Sequence, residues 1–190
     1  MNSLVRSLLD AVYLTIALAT SVVAMAVWIA GVSVTISLAV FIVGLPVFLL
    51  STLAFRWTAE LDRRNAALVL GRPLRGRYRP QRGGLIARLL ATARDPQTWK
   101  DLAWLVVHSA LGLAFGIAAV TLVASVLGLA VLPVWYWSIT DGVELGLWDV
   151  DTLWEAFATA PLAIPLALLT ALLLRAMATA HAQLARALLA

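Results

Sequence analysis

Residues 11–55 read AVYLTIALATSVVAMAVWIAGVSVTISLAVFIVGLPVFLLSTLAF, and none of them is charged. A transmembrane helix needs about 20 mainly apolar residues, so this stretch is long enough for two. Its least apolar point is Gly31-Val32-Ser33, which separates two fuller apolar blocks. We therefore predict a first span over about 10–30 and a second over about 34–55, with the break near Gly31.

The composition of the whole chain agrees with a membrane protein. Of 190 residues, 63% are hydrophobic and only 13% are charged, and the mean hydropathy is +0.95. Soluble domains average about 25% charged residues, so a water-soluble fold is excluded. The apolar stretch continues far past the cleavage-like Ala24-Met25-Ala26, which excludes a signal peptide. With no cysteine and only two histidines, we expect neither disulfides nor a metal centre, and no cofactor.

Two further apolar runs predict a third span over about 102–132 and a fourth over about 157–180. The charges between the spans are strongly sided: residues 56–101 hold eleven basic and four acidic residues, whereas residues 133–160 hold five acids and no base. Since cytoplasmic loops collect Lys and Arg, 56–101 is the predicted cytoplasmic loop and 133–156 the outer segment. The predicted fold is an all-α, four-span membrane domain over 1–190 with both termini cytoplasmic.

The basic loop has the pattern of a membrane-surface segment. The second helix continues to about Leu70, a Gly-, Pro- and Arg-rich linker follows over 71–84, and Leu85–Leu90 form a short amphipathic helix. Asp95-Pro96 is a good helix start. Each cationic side chain near an anionic leaflet contributes about 1 kcal/mol. We expect membrane lipids as the partner and no nucleic acid, because the loop has only one aromatic residue outside its tryptophans, Tyr78.

The outer segment has two interpretations. Residues 133–140 and 143–150 are β-prone and flank Asp141-Gly142, which predicts a two-stranded hairpin. Thr152 and Glu155 have the spacing of a capping box that starts the next helix. The segment is either an aromatic belt or a recognition surface for a cationic or amphipathic ligand. The candidate ligand-binding residues are Trp135, Trp137, Trp148, Asp141, Glu144 and Asp149.

A second candidate site lies inside the third span. His108, Gly112 and Gly116 share one helix face, and small residues at this spacing let helices approach closely. We interpret the face as a packing seam, either within the bundle or across a homodimer. His108 is then an interhelical hydrogen-bonding residue or, alternatively, a proton or ligand site. No nucleophile–base–acid set occurs, so we expect no enzyme activity.

The order of several motifs resembles the sensor domain found at the N-termini of many actinobacterial sensor histidine kinases. These motifs are Val43-Gly44-Leu45-Pro46, Glu60-Leu61-Asp62-Arg63-Arg64, Leu70-Gly71, Asp95-Pro96-Gln97-Thr98-Trp99-Lys100-Asp101-Leu102, Pro133-Val134-Trp135-Tyr136-Trp137 and the segment from Ala180 to Leu189. The resemblance implies a sensory input module of a two-component system in the bacterial cytoplasmic membrane. In that family the last span continues into a dimerisation-and-phosphotransfer helix and an ATPase domain. In this chain, His181 lacks the acidic and basic neighbours that a phosphoacceptor histidine has.

Two other functions stay open on the sequence alone. The first is an accessory subunit that binds another membrane protein through Gly112 and Gly116. The second is a small transporter, indicated by His108 and by the prolines that interrupt the second and fourth spans. If the chain is a stand-alone sensor, we expect its output to pass to a separate histidine kinase or another cytoplasmic partner.

Overall fold

A computed structural model of the chain describes residues 3–38, 44–76, 78, 84–139, 143–144 and 149–189. These residues are largely helical, with one two-stranded antiparallel pair. The helices are α1 (Ser3–Leu38), α2 (Gly44–Leu70), α3 (Leu85–Ala93), α4 (Pro96–Ala130), α5 (Leu132–Trp135), α6 (Leu153–Thr159) and α7 (Ala163–Leu189). Short 3-10 turns follow α5 and α6, at Tyr136–Ser138 and Ala160–Leu162, and the strands are β1 (Val143–Glu144) and β2 (Asp149–Val150).

Helix α1 continues through Gly31, so the predicted break at that residue is wrong. A Cβ atom at Gly31 would lie 2.9 Å from the ring of Phe55 and 3.2 Å from the Cβ atom of Ser51. The missing side chain lets α2 approach α1 closely. Gly31 therefore marks a helix contact, and the described part of α1 ends seven residues later at Leu38.

Three helical stretches have the length and composition to cross a membrane. They are Val5–Leu38, Pro96–Ala130 and Leu153–Leu189. Helix α2 is not among them, because its second half carries Arg56, Glu60, Asp62, Arg63 and Arg64. The structure thus agrees with a helical membrane protein.

Helices α1, α2, α4 and α7 form a four-helix bundle in which α1 is antiparallel to α2 and α4. Along the α1–α4 contact, Thr20 bonds His108 and Leu14 lies beside Gly116. Helices α2 and α4 are parallel: Arg56 pairs with Asp95 and, further along both helices, Arg63 pairs with Asp101.

Helix α7 completes the bundle and runs parallel to α1. Asp10 pairs with Arg175, and three residues further along α1, Tyr13 bonds His181. The four helices therefore run up, down, down and up in chain order. Residues 71–95, which include α3, connect the end of α2 at one end of the bundle to the start of α4 at the other. Four successive membrane spans would alternate in direction, and this bundle does not.

Two predicted helix starts are confirmed in the bundle. Asp95 accepts a hydrogen bond from the Gln97 backbone N–H at 3.0 Å, with Pro96 as the first residue of α4. Thr152 and Glu155 form the reciprocal capping box at the start of α6. These local signals need only a few neighbouring residues, so the sequence reveals them directly.

The outer segment differs from the predicted hairpin. Residues 132–138, which include most of the predicted first strand, are helical, as α5 and a 3-10 turn. The strands pair instead as Val143 with Val150 and Glu144 with Asp149. Buried Leu132, Val150 and Ala156 form a small core here, and Pro133 suits the first turn of α5, where its missing N–H costs nothing.

The helix directions predict a membrane topology that single cysteines can test, because the chain has none of its own. The start of α1 lies level with the end of α4, so we expect Val5→Cys and Asp151→Cys to react with an impermeant maleimide from the same side. Arg94→Cys and Ala187→Cys should react from the other side. Alternating four-span topology instead places Val5 with Arg94, which makes Val5 the deciding position.

Candidate functional site

The outer residues expected to bind a ligand are only partly gathered by the structure. Trp135 donates its indole N–H to the Gly128 carbonyl at 2.9 Å, whereas Trp137 is 73% exposed. Glu144 and Asp149 are register partners in the backbone of the strand pair. Asp141 and Trp148 lie outside the described residues. No ligand-sized pocket is therefore defined here by the described members of the set.

The face with His108, Gly112 and Gly116 packs against α1. A Cβ atom at Gly116 would clash with the Leu18 Cβ atom and would lie 3.1 Å from the Leu14 carbonyl oxygen. At Gly112, a Cβ atom would lie 3.0 Å from the Ala17 carbonyl oxygen. Because α1 of the same chain occupies this face, it is not left open for the accessory-subunit or homodimer contact.

Polar side chains from all four bundle helices meet in the bundle interior beside this seam. The described members are Tyr13 and Thr20 of α1, Asp62 and Arg63 of α2, Gln97, Asp101, Trp104 and His108 of α4, His181 of α7 and Tyr78 of the linker. We call this set the buried polar cluster. Of its members, only His108 was predicted as a site residue from the sequence.

A chain of hydrogen bonds crosses the cluster through its two histidines. The Tyr13 hydroxyl lies 2.6 Å from His181 Nδ1, and His181 Nε2 lies 3.0 Å from His108 Nδ1. His108 Nε2 lies 2.9 Å from the Thr20 hydroxyl and 3.5 Å from Asp62 Oδ2. This chain connects α1, α7, α4 and α2 without leaving the protein interior.

Asp62 is the carboxylate at the end of this chain. Its Oδ2 accepts a hydrogen bond from the Trp104 indole at 2.8 Å, and the Trp104 ring stacks on His108 with centroids 5.1 Å apart. Its Oδ1 is buried without a hydrogen-bond partner in the described structure. Burial raises the pKa of Asp62 to about 6, although Trp104 and Arg63 act in the opposite direction.

Arg63 is the centre of the other half of the cluster. Its guanidinium lies 2.7 Å from Asp101 Oδ1, and the two side chains are 1% and 0% exposed. It also donates to the Tyr78 hydroxyl at 2.8 Å and, through Nε, to the Leu189 carbonyl at 3.2 Å. Arg63 therefore holds the linker, α4 and the end of α7 together.

The charges around Arg63 shift neighbouring protonation equilibria. Burial alone lowers the pKa of Arg63, but Asp101, Tyr78 and Glu60 raise it above its ordinary value. Burial and the Asp101 charge raise the pKa of Tyr78 to about 12, so its hydroxyl keeps its proton and donates to Asp101 Oδ2 at 2.9 Å. At neutral pH, Arg63 is a cation and Tyr78 is neutral.

Two further ion pairs flank the cluster. Arg56 lies 3.6 Å from Asp95 and stacks over the Tyr78 ring at 4.4 Å. Arg175 lies 3.2 Å from the buried Asp10 carboxylate and is 40% exposed. These contacts attach the linker to α2 and join α1 to α7.

The sequence motifs contain members of this cluster, although, of the whole cluster, only His108 is predicted as a site residue. Asp62 and Arg63 come from one quoted motif, Asp101 from another, and His181 from the closing segment. Motif residues placed in apolar helices are expected to face the protein interior and to have partners there. Which partners they have depends on helix directions that residue spacing does not reveal.

A family model described as "Putative sensor" matches residues 13–189, which is nearly the whole chain and includes every member of the buried polar cluster. The chain belongs to this sensor family. No curated protein and no solved structure matches it. The sensor family thus gives a general role, and the cluster shows where the chain's polar contacts concentrate.

The chemistry of the cluster is that of charge and hydrogen bonding between helices. Among the described residues, no group of three or more His, Asp or Glu side chains has the arrangement of a metal site. Apart from Gln97–Asp101 and Trp104–His108, which lie within α4, the cluster contacts described above cross from one helix to another or to the linker. A shift of one helix therefore breaks buried hydrogen bonds, and the cluster makes helix positions interdependent.

We expect the α1–α4 seam to be sensitive to a single added methyl group. Gly116→Ala should destabilise the bundle by about 1–3 kcal/mol, because the new Cβ meets the α1 backbone. Gly128→Ala in the same helix is the control, since nothing lies within 4 Å of its Cβ position. It should be neutral or stabilise by about 0.5–1 kcal/mol. Unfolding followed by circular dichroism in mixed micelles measures both, and equal stabilities would contradict the seam.

We expect adjacent arginines in α2 to differ sharply in their contribution to stability. Arg63→Ala leaves Asp101 buried without its cation and should cost about 3–5 kcal/mol of unfolding free energy. Arg64 pairs with Glu60 at the surface and its side chain is 75% exposed, so Arg64→Ala should change it by under about 1 kcal/mol. The same unfolding measurement compares them. Similar losses for both would argue against a buried Arg63–Asp101 pair.

Proposed function

We propose that the chain is a membrane-embedded signal-input module of the two-component type, located in the bacterial cytoplasmic membrane. An envelope or lipid-phase stimulus would shift the packing of α4 and α7, and a histidine kinase or another cytoplasmic partner would read the change. Membership in the sensor family supports the general role. The Arg63–Leu189 contact carries the mechanism, because it joins the end of α7 to the buried core.

A continuous set of contacts supports transmission from the outer segment to that end. Trp135 bonds the end of α4 at Gly128, and Val150 packs with Leu132 and Ala156 in the small outer core. Helix α6, which contains Ala156, leads through one 3-10 turn into α7. A ligand that moved the outer core would therefore act on both α4 and α7, and Trp137 and Asp149 offer exposed groups for it.

Within the basic segment 56–101, α3 and the start of α4 would hold the module on the inner leaflet, because α2 leads away from there to Leu70, beside the start of α1. Helix α3 exposes Ile86 and Leu90, which are 69% and 50% accessible, and suits a position in the headgroup region. The Arg-rich composition favours anionic lipids as the partner. We propose that this face is cytoplasmic and the segment 133–156 faces outward, in keeping with the distribution of charge.

A chimera with a dimeric kinase core joined after Ala190 tests the proposed function. We expect Arg63→Ala to change basal autophosphorylation several-fold, because the end of α7 loses its buried contact. The matched control, Arg64→Ala, should leave it unchanged. If Arg63→Ala folds and kinase output equals that of the parent chimera, signal transfer through α7 is excluded.

The same chimera tests the outer segment with a synthetic Lys/Leu amphipathic peptide as the probe. Replacing Trp135, Trp137 and Trp148 with alanine should abolish the peptide response, whereas Trp154→Ala, at an 83% exposed position of α6, should retain it. Unchanged basal and stimulated output in the triple variant would exclude the outer segment as the input.

A further inference from the structure

The buried polar cluster holds more negative than positive charge. Asp62 and Asp101 are 4% and 0% exposed, and among the residues that the structure describes the single buried cation beside them is Arg63. With both histidines neutral, these three groups carry a net charge of −1. A buried charge without a counter-ion is costly, so the cluster gains stability from any group that supplies one positive charge. The flanking pairs Arg56–Asp95 and Asp10–Arg175 are each balanced by themselves.

We propose that Asp62, His108 and His181 form a binding site for one proton, and that this proton is a stimulus of the sensor module. The second part rests on the function proposed above. The proton comes from the aqueous phase and is the only group transferred. Its binding converts the net charge of the cluster from −1 to zero.

The hydrogen-bond chain has a place for this proton. With both neutral rings as Nε2–H tautomers, the Tyr13 hydroxyl donates to His181 Nδ1, the N–H of His181 Nε2 donates to His108 Nδ1, and the N–H of His108 Nε2 points to Thr20 and Asp62. A proton on His181 Nδ1 only requires Tyr13 to turn its hydroxyl and accept. A proton on Asp62 occupies the carboxylate whose Oδ1 has no partner.

The groups that face the histidine pair from every bundle helix favour the binding of one proton. Helix α1 contributes Tyr13 and Thr20, and α2 contributes Asp62, with Arg63 behind it. Helix α4 contributes Trp104 beside His108, and Asp101 of the same helix is already paired with Arg63. Helix α7 contributes only His181, and Phe115 closes the apolar side of the pair. In the described part of the chain, the one carboxylate within reach of His108 is that of Asp62, and no described guanidinium pairs with it.

The behaviour of Asp62 gives the direction of the response. Burial raises its pKa to about 6, so the folded protein holds this proton more tightly than the unfolded chain. The stabilising effect is present at acidic pH and is lost as pH rises through about 6. Above that pH the net charge returns where α2, α4 and α7 meet, next to the Arg63 contact that holds Leu189.

Selective labelling makes the test direct, because the chain contains two histidines only. The full chain with 13C- and 15N-labelled histidine is placed in nanodiscs and titrated from pH 4 to 8 by NMR, with the proton itself as the probe. We expect both rings to be neutral Nε2–H tautomers near pH 8 and their signals to shift together over one shared transition. Two independent transitions at the ordinary histidine position, or Nδ1–H tautomers, would overturn the proposal.

A pair of carboxylate variants locates the counter-ion. Asp62→Asn should lower the proton affinity of the pair by tenfold or more, whereas Asp10→Asn, at another buried carboxylate, should leave the titration unchanged. Equal titrations for wild type and Asp62→Asn would exclude Asp62 from the site. If Asp62→Asn does not fold, the wild-type tautomers and shared transition still decide.

The kinase chimera separates the two parts of the proposal. We expect output to change several-fold between pH 5 and 7.5 in the parent chimera and Asp62→Asn to abolish that change. Coupled NMR titration with pH-independent output would overturn the role of the proton as stimulus while leaving the Arg63 test of the module intact. An Arg63→Ala chimera with parental output would instead contradict the proposed function.

Discussion

The buried ion pair between Arg63 and Asp101 is the constraint on which much of the bundle depends. Two charges at 2.7 Å and nearly zero exposure cannot be separated without leaving one of them unpaired in the interior. The pair therefore fixes how far α2 lies along α4. The same guanidinium binds Tyr78 and the Leu189 carbonyl, so the linker and the end of α7 take their positions from it.

Such a polar constraint is needed because an apolar surface alone gives membrane helices little preference for one another. Lipid tails are as apolar as leucine, and association depends on close packing and interhelical hydrogen bonds. Gly112 and Gly116 supply close packing with α1, and the histidine chain supplies the hydrogen bonds across α1, α4 and α7. Close packing brings the backbones together, while the polar contacts select one register among many apolar alternatives.

The sequence predictions are correct where they depend on composition or on neighbouring residues, and wrong where they depend on contacts between residues far apart in sequence. The helical membrane class follows from composition, and the caps at Asp95 and Thr152 follow from neighbouring residues. The predicted helix break at Gly31 was wrong, because the sequence does not distinguish a glycine in a turn from a glycine that allows close packing of a neighbouring helix. Residues 133–140 are β-prone by type, yet residues 133–138 are helical, and this conformation lets Trp135 bond Gly128.

Helix direction and the buried polar cluster were not predictable for a related reason. The members of the cluster are separated by up to 168 positions, as for Tyr13 and His181, and nothing local indicates that they meet. Charge distribution predicts sides for loops, but not which helix face meets which. Once α1 and α7 run the same way, His108, His181 and Asp62 converge beside one guanidinium. Their excess negative charge is then a consequence of the fold, and the same contacts that hold the helices in register make that register depend on protonation.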